Sequence, residues 1–368
     1  MNVALVYDRV NKIGGAERIL SVLHELFPEA PLYTSVYDPG KAPWAQSFDV
    51  RTTFLQYIPF AKNHHEWFAW ATPFAFNTLS FDGYDMVISI TSAEAKGIIT
   101  KPGTMHLCYC LTPTRYLWSA ESFYKKWTGF GVFHVPARAA FQLLLPTLKC
   151  WDRIASFRPD AYVAISESVK TRIRSYYGRH ATHVIYPPVN TDTFVPSFRR
   201  GKYFLTVTRL VPYKRVDIII DACNQLRERL IVIGSGTELS KLKKRAGPTV
   251  QIIPEYLTDK ELLGYYQDCR AFLYAAEEEF GIVVAEAQSC GKPVIAYKGG
   301  GVGEIVIPGT TGILYNEQSS GALTRAMGLF KRMGFRQSAI RKNALRFSTS
   351  RFKREFLDML KAVKEGNV

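Results

Sequence analysis

The sequence predicts an α/β protein built from two doubly wound parallel-sheet domains that face each other across a cleft. Three observations carry that prediction. Short apolar runs alternate with helix-period segments along the chain, which is the pattern of parallel strands joined by right-handed helical crossovers. The 368 residues accommodate two domains at roughly 100–200 residues each. A passage at 184–203 carries Pro187, Pro188 and Pro196 near the middle of the chain and breaks regular structure as a linker does. Ligands of such sheets sit beyond the carboxyl ends of the strands, so the chemistry is sought there.

The elements follow in order. "NVALVY" (2–7) reads as a buried strand, and "GGAERILSVLHELF" behind it as a helix. "DMVISI" (85–90), "HLCYC" (106–110) and "DAYVAIS" (160–166) read as further strands. The second half repeats the logic. Strands are expected at 202–210, 229–234, 249–254, 271–276 and 292–297, with helices at 216–228 and 258–269. The first domain is placed at 1–187 and the second at 188–350. The amphipathic C-terminal segment 351–368 is expected to pack back on the first.

Composition limits the function classes. Apolar residues make up 47%, enough for two cores. The six cysteines form no CxxC and lie near no histidine at zinc spacing, which favours a reduced compartment over a disulfide framework. His64 and His65 are neighbours without other ligands in view, so no metal is expected. The N-terminus lacks the basic n-region of a secretory signal. No apolar run approaches the roughly 18 residues of a membrane span. The net charge is +15, and residues 321–368 hold 12 Lys/Arg against 3 Asp/Glu. Such an excess attracts phosphate groups or is a solvated basic helix face.

Four motifs carry candidate chemistry. Gly14 and Gly15 follow the first strand and open a helix, where bare backbone N–H groups and the helix dipole suit an anion. An ordinary tight strand-to-helix turn has the same signature. In "TRLVPYKRVD" (208–217), Arg209 and Lys214 stand at the carboxyl end of a strand and are suited to clamp a diphosphate. Arg215 reads as solvent-facing. "GSGTEL" (234–239) begins like a dinucleotide fingerprint but lacks its third glycine. In "AAEEEFGIVVAEAQSCGKPVIAYKGG" (275–300), Glu278 follows a strand and Gly281 lets the loop turn. Glu286 then falls in the early part of a helix that Gly291 ends. A carboxylate in an apolar segment is costly unless paired, and two hydroxyls of a ribose are suitable partners.

These segments resemble the retaining glycosyltransferase family 4, whose fold, GT-B, is two Rossmann-like domains. "EEFGIVVAEAQSCGKPVIA" looks like its E-x7-E motif, and "TRLVPYKRVD" like its phosphate-clamp segment. "GGAER" is similar to its N-terminal glycine loop, "VIYPPVNTDTF" to its interdomain passage, and "SESVKTRI" (166–173) also fits. The resemblance implies that Arg209 and Lys214 stabilise a departing diphosphate. Glu278 and the backbone at Phe280, Gly281 and Ile282 would hold the donor sugar, and Glu286 the nucleotide ribose. Gly14 and Gly15 would let the first domain approach the diphosphate. Preorganised cations act on the charge that builds on such a leaving group.

Within that family, "CLTPTRYLW" (110–118) is closest to mannosyltransferase-like members. Leu111 stands where those members carry a histidine. His106 lies on the preceding strand and is no substitute. Arg115, Tyr116 and Trp118 are expected on the acceptor side. The implied reaction moves a hexose, mannose from GDP-mannose, to a lipid-linked or oligosaccharide acceptor of polysaccharide biosynthesis, with a nucleotide sugar as donor substrate and no cofactor. Aromatic-basic segments at 60–77 and 123–151 suit an anionic membrane surface, or simple core packing. A cytoplasmic protein on the inner face of the membrane is the expected setting. A non-catalytic or altered-specificity scaffold and a nucleotide-sugar epimerase or hydrolase are the competing readings. Nucleic acid is not expected as a partner, since no recognised binding module is present.

Overall fold

The computed structural model describes residues 1–12, 14–119, 121, 134–199 and 201–364. Of the aromatic-basic segment at 123–151, the part up to 133 lies outside the described residues, as do the last four of the C-terminal segment. The chain divides into two compact units: residues 1–185 with 355–368, and residues 186–354.

The first unit is built on a seven-stranded parallel sheet: β1 (Val3–Tyr7), β2 (Leu32–Thr34), β3 (Val50–Thr52), β4 (Met86–Thr91), β5 (Met105–Cys110), β6 (Ala161–Ala164) and β7 (His183–Val184). Their order is β3-β2-β1-β4-β5-β6-β7. Every residue of β1, β4 and β6 is buried, which is why these strands read as continuous apolar runs rather than as alternation. The strands β2, β3 and β7 have two or three residues each, too few to show a period, and the sequence reading misses them. From residue 355 the helix Thr349–Lys364 belongs to this unit, where the Phe356 ring lies 6.2 Å from Tyr109.

The second unit holds a six-stranded parallel sheet: β8 (Tyr203–Val207), β9 (Leu230–Ile233), β10 (Val250–Ile253), β11 (Cys269–Tyr274), β12 (Val294–Tyr297) and β13 (Gly312–Tyr315). The order is β10-β9-β8-β11-β12-β13. The helices Val216–Leu226 and Ser320–Phe330 pack over one face of it, burying Ile219, Cys223, Leu323 and Met327. Helix starts are set by local chemistry. Thr258 and Glu261 form a reciprocal capping box ahead of Asp259–Asp268, and Ser166 accepts from the Val169 N–H ahead of Glu167–Tyr177.

In both sheets the strand order reverses once, between β1 and β4 and between β8 and β11. At such a point the two crossovers leave in opposite directions and open a crevice at the carboxyl ends of the strands. The doubly wound α/β prediction is met in each unit.

Candidate functional site

The residues that follow β8 and β11 meet at the second unit's reversal point. β8 ends at Val207, earlier than expected, and Arg209 stands in the loop beyond it. That loop is fixed from below by backbone. The Leu210 N–H donates to Ser235 O (2.9 Å), and the Glu238 N–H donates to Leu210 O (2.9 Å). Gly234 and Gly236 have φ of +143° and +158°, and a Cβ on either would come within 2.3 Å of the Thr208 or Leu210 carbonyl oxygen. The Gly-Ser-Gly turn thus serves as a platform for the cation loop; only glycine permits so close an approach.

Lys214 closes the short 3₁₀ turn Pro212–Lys214 and is buried. Its ammonium meets the carboxylate of Glu278, with the two side chains 7% and 19% exposed. Tyr213 sits between the two cations. Its hydroxyl accepts from the Arg209 guanidinium (2.6 Å), and its ring lies 5.5 Å from Lys214 Nζ and 6.0 Å from Arg209 Cζ. An aromatic face at that range favours cations. Arg215, with a side chain 36% exposed, is also tied locally. It takes φ +51°, and its guanidinium reaches both oxygens of Asp217 (3.1 and 3.2 Å). This left-handed residue ends the turn that carries Lys214.

The other half of the site is held by a glycine run. Gly300 bridges to Glu278 in parallel fashion, and the Gly301 N–H donates to Glu278 O (2.7 Å). Phe280 is buried, stacked on Tyr186 at 5.6 Å and edge-on to Phe347 at 5.3 Å. Gly281 has φ +100° and is the N-cap of the helix Ile282–Ser289. Gly291, at φ +71°, follows that helix's end, where the spacing puts it.

Glu286 departs from expectation. It is the fifth of eight helical residues rather than an early one, and it is 1% exposed. The helix dipole fades beyond the first turn, and the Tyr266 hydroxyl donates to Glu286 Oε2 at 2.9 Å. Lys214, Glu278, Arg209 and Tyr213 are therefore brought together, while Glu286 is packed against Tyr266 one turn into the helix. Tyr213, Tyr266 and Gly300 were not singled out from the sequence. The glycine run of "KGGG" (298–301) was a usable signal; the two tyrosines carried none.

Two Arg residues of the basic C-terminal region turn out to be internal. Arg341 donates to Phe194 O (2.6 Å), Ser289 O (2.9 Å) and Thr191 O (2.8 Å), and Arg351 donates to Tyr186 O (2.8 Å). They bind the passage at 186–194 rather than standing ready for phosphate.

In the first unit Gly14 is exposed and extended (φ −173°) and Gly15 opens the helix Gly15–Leu26 at the carboxyl end of β1. Arg115 is half-buried. Trp118 Nε1 donates to Asp152 Oδ2 (2.7 Å), and its ring stacks on Tyr176 at 5.3 Å. The Tyr116 hydroxyl donates to buried Glu94, in the loop after β4. His106 is buried with Ser89 Oγ 2.9 Å from its Nε2, and burial pushes it down to about 3. It is a neutral core residue.

Burial, with Asp8 nearby, pushes the Glu94 carboxyl up to about 7. An unfolded glutamate releases its proton near pH 4.5, so between that pH and 7 the folded chain holds the extra proton and stability falls as pH rises. Glu94→Gln removes this cost and can still accept from Tyr116. The expected result is a stabilisation at pH 8 of up to about 3 kcal/mol, vanishing at pH 4; equal unfolding midpoints at pH 8 would contradict it.

Comparison with known proteins bears on the second unit first. Residues 191–347 match the family model of glycosyl transferases group 1. An uncharacterized glycosyltransferase of Methanocaldococcus jannaschii is 31% identical over 174 residues, 44% of this chain and 47% of that one. A GDP-mannose-dependent alpha-(1-6)-phosphatidylinositol monomannoside mannosyltransferase of Mycolicibacterium smegmatis is 29% identical over 215 residues, 50% and 56% of the two chains. The chain spans about half the length of the curated relatives it matches. Among solved structures, Anabaena HepE in complex with UDP and glucose superposes with a TM-score of 0.73 at 19% identity, covering 98% of this chain and all of that one. Sucrose-phosphate synthase from Thermosynechococcus elongatus gives 0.74 at 16% identity, over the whole of both. The chain has the GT-B fold, two Rossmann-like α/β units, and its residues 191–347 are similar to the glycosyl transferases group 1.

Proposed function

We propose that the protein is a retaining hexosyltransferase that moves mannose from GDP-mannose to a lipid-linked or oligosaccharide acceptor. The observation that carries this reading is the Lys214–Glu278 pair with Arg209 alongside, at the reversal point between β8 and β11. A sugar diphosphate supplies both charges with new partners. Its phosphates take the ammonium of Lys214 and the guanidinium of Arg209, and its sugar hydroxyls donate to Glu278 and meet the backbone at Phe280–Ile282. The same cations then stabilise the charge that grows on the diphosphate as the glycosidic bond breaks. Glu286, oriented by Tyr266, is assigned to the ribose. Gly14 and Gly15 are assigned to the diphosphate, and Arg115, Tyr116 and Trp118 to the acceptor side. The mannosyltransferases among the relatives support mannose as the sugar.

The test is direct. The purified chain is incubated with GDP-mannose, GDP-glucose, UDP-glucose or UDP-galactose and a lipid-linked acceptor extract. Release of GDP from GDP-mannose is expected. Product with an inverted anomeric centre sinks the retaining assignment, and failure to release any nucleotide diphosphate sinks the transfer reading. Release without an acceptor points to a hydrolase instead.

A further inference from the structure

The connection between β3 and β4 holds several large rings in water. It packs Leu55, Ala61, Ala71 and Ala75 inward with Val36. Phe76 and Phe81 are buried as well, but four other large rings point outward: Tyr57 is 84% exposed, Phe60 68%, Trp70 54% and Phe74 64%. Folding alone gains from burying those four rings too, because a buried Phe or Trp withdraws far more apolar area from water than a buried Ala. Phe60 also has φ +66°, a conformation in which a bulky residue is an outlier. Strain spent on holding a ring in water points to something the ring meets there.

A second exposed face adjoins the first. Arg158 donates to Asn77 Oδ1 (2.7 Å) and to Gly97 O, so the end of the helix Thr72–Asn77 lies beside the end of the helix His134–Ala155. On that helix Leu143, Thr147, Cys150 and Ile154 fall on one line at about 100° per residue. Leu145, Leu148 and Asp152 are buried on the opposite side. Leu143 is 80% exposed, Ile154 62%, and Phe157 just beyond 59%. Cations border the rings. Lys62 and Arg153 are exposed, and Arg179 Cζ lies 5.6 Å from the Phe157 ring.

We propose that these two faces together form a docking surface for an anionic lipid bilayer. Large exposed rings with cations beside them match the headgroup layer, where rings lie among the lipids and cations among the phosphates. The location argues for the same occupant. Asn11 Nδ2 donates to Lys62 O (3.0 Å) and stands 3.2 Å from His65 Nδ1. Asn11 follows the carboxyl end of β1, three residues before Gly14. The aromatic segment is thus fastened to the loop at the first unit's reversal point, where a crevice opens for a ligand. A bilayer seated on it delivers a lipid-borne acceptor to that edge. The inference rests on the lipid-linked-acceptor reading above and supplies its surface.

The test is sedimentation of the full chain with vesicles of phosphatidylcholine alone and of phosphatidylcholine with about one-third phosphatidylglycerol. Binding to the anionic vesicles that weakens with salt is expected. Trp70→Ser with Phe74→Ser is expected to lower the partition coefficient about tenfold or more, and Lys62→Glu with Arg153→Glu about tenfold. All four side chains are exposed, so unfolding midpoints are expected to match the unsubstituted chain. Equal binding to neutral and anionic vesicles, or variants that bind as the unsubstituted chain does, would overturn the proposal. So would a concentration-dependent dimer dissolved by the Trp70/Phe74 change, since the occupant would then be a second copy. Donor turnover on a soluble acceptor needs no bilayer. Lost vesicle binding with intact turnover sinks the docking surface alone, and intact vesicle binding without turnover sinks the transferase alone.

Discussion

Lys214→Ala is expected to lower kcat by about 10²–10³-fold while raising KM far less. The loss is that of one preorganised charge aimed at a developing anion, and such a group acts mainly on the transition state. A structural explanation competes, because Lys214 and Glu278 are an ion pair with little exposure. Removing one partner of a buried pair costs roughly 3–5 kcal/mol, and the 19% exposure of Glu278 places this case at or below the low end. The fold effect is isolated in the double variant Lys214→Met/Glu278→Gln, which leaves no unpaired charge. Its unfolding midpoint is expected to return to within a few degrees of the unsubstituted chain while kcat stays low. A double variant that regained activity along with stability would show that the lysine only holds the fold. Equal changes in kcat and KM for Lys214→Ala would assign it to ground-state binding.

The same pair shows what a sequence yields and what it withholds. The parallel sheets were legible because β1, β4, β8 and β11 are buried almost throughout and so spell mainly apolar runs. The positions of Lys214 and Glu278 after two such strands were legible for the same reason. That the two strands are neighbours was not, since β9 and β10 intervene in the chain and the reversal is a property of sheet order. Nor was the depth of Glu286. An apolar neighbourhood says that a carboxylate needs a partner, yet the Tyr266 hydroxyl that provides one lies 20 residues away. The aromatic segment at 60–77 was legible only as composition. Which rings face outward depends on the packing of Ala61, Ala71 and Ala75 beneath them, and the short turns there carry no period that a sequence reader can use. The internal roles of Arg341 and Arg351 were hidden likewise, because their acceptors are carbonyl oxygens about 50 to 165 residues away, and carbonyls have no signature in the side-chain sequence.

Gly300→Ala is expected to be among the most damaging single-methyl changes near the site, and Gly309 provides its control. Gly300 has φ +69°, and a Cβ there would lie 2.0 Å from the Glu278 carbonyl oxygen. Two costs combine. Left-handed backbone costs an L-residue roughly 1–2 kcal/mol, and the contact requires the 278–280 strand-like turn to move away. A total of about 2–4 kcal/mol is expected, or roughly 5–12 °C in the midpoint of a unit this size. Gly309 shares the left-handed backbone at φ +77° but has nothing within 4 Å of its would-be Cβ. Gly309→Ala therefore measures the strain alone, near 1 kcal/mol, and the difference between the two variants isolates the steric contact. That difference bears on function as well as on stability. The Gly301 N–H and the Gly300 bridge are what fix Glu278 opposite Lys214, so displacing them loosens the carboxylate assigned to the donor sugar. Nucleotide-sugar binding measured by calorimetry is expected to be lost in Gly300→Ala and kept in Gly309→Ala. Equal binding in the two would mean that the glycine run serves the fold and leaves Glu278 indifferent to it.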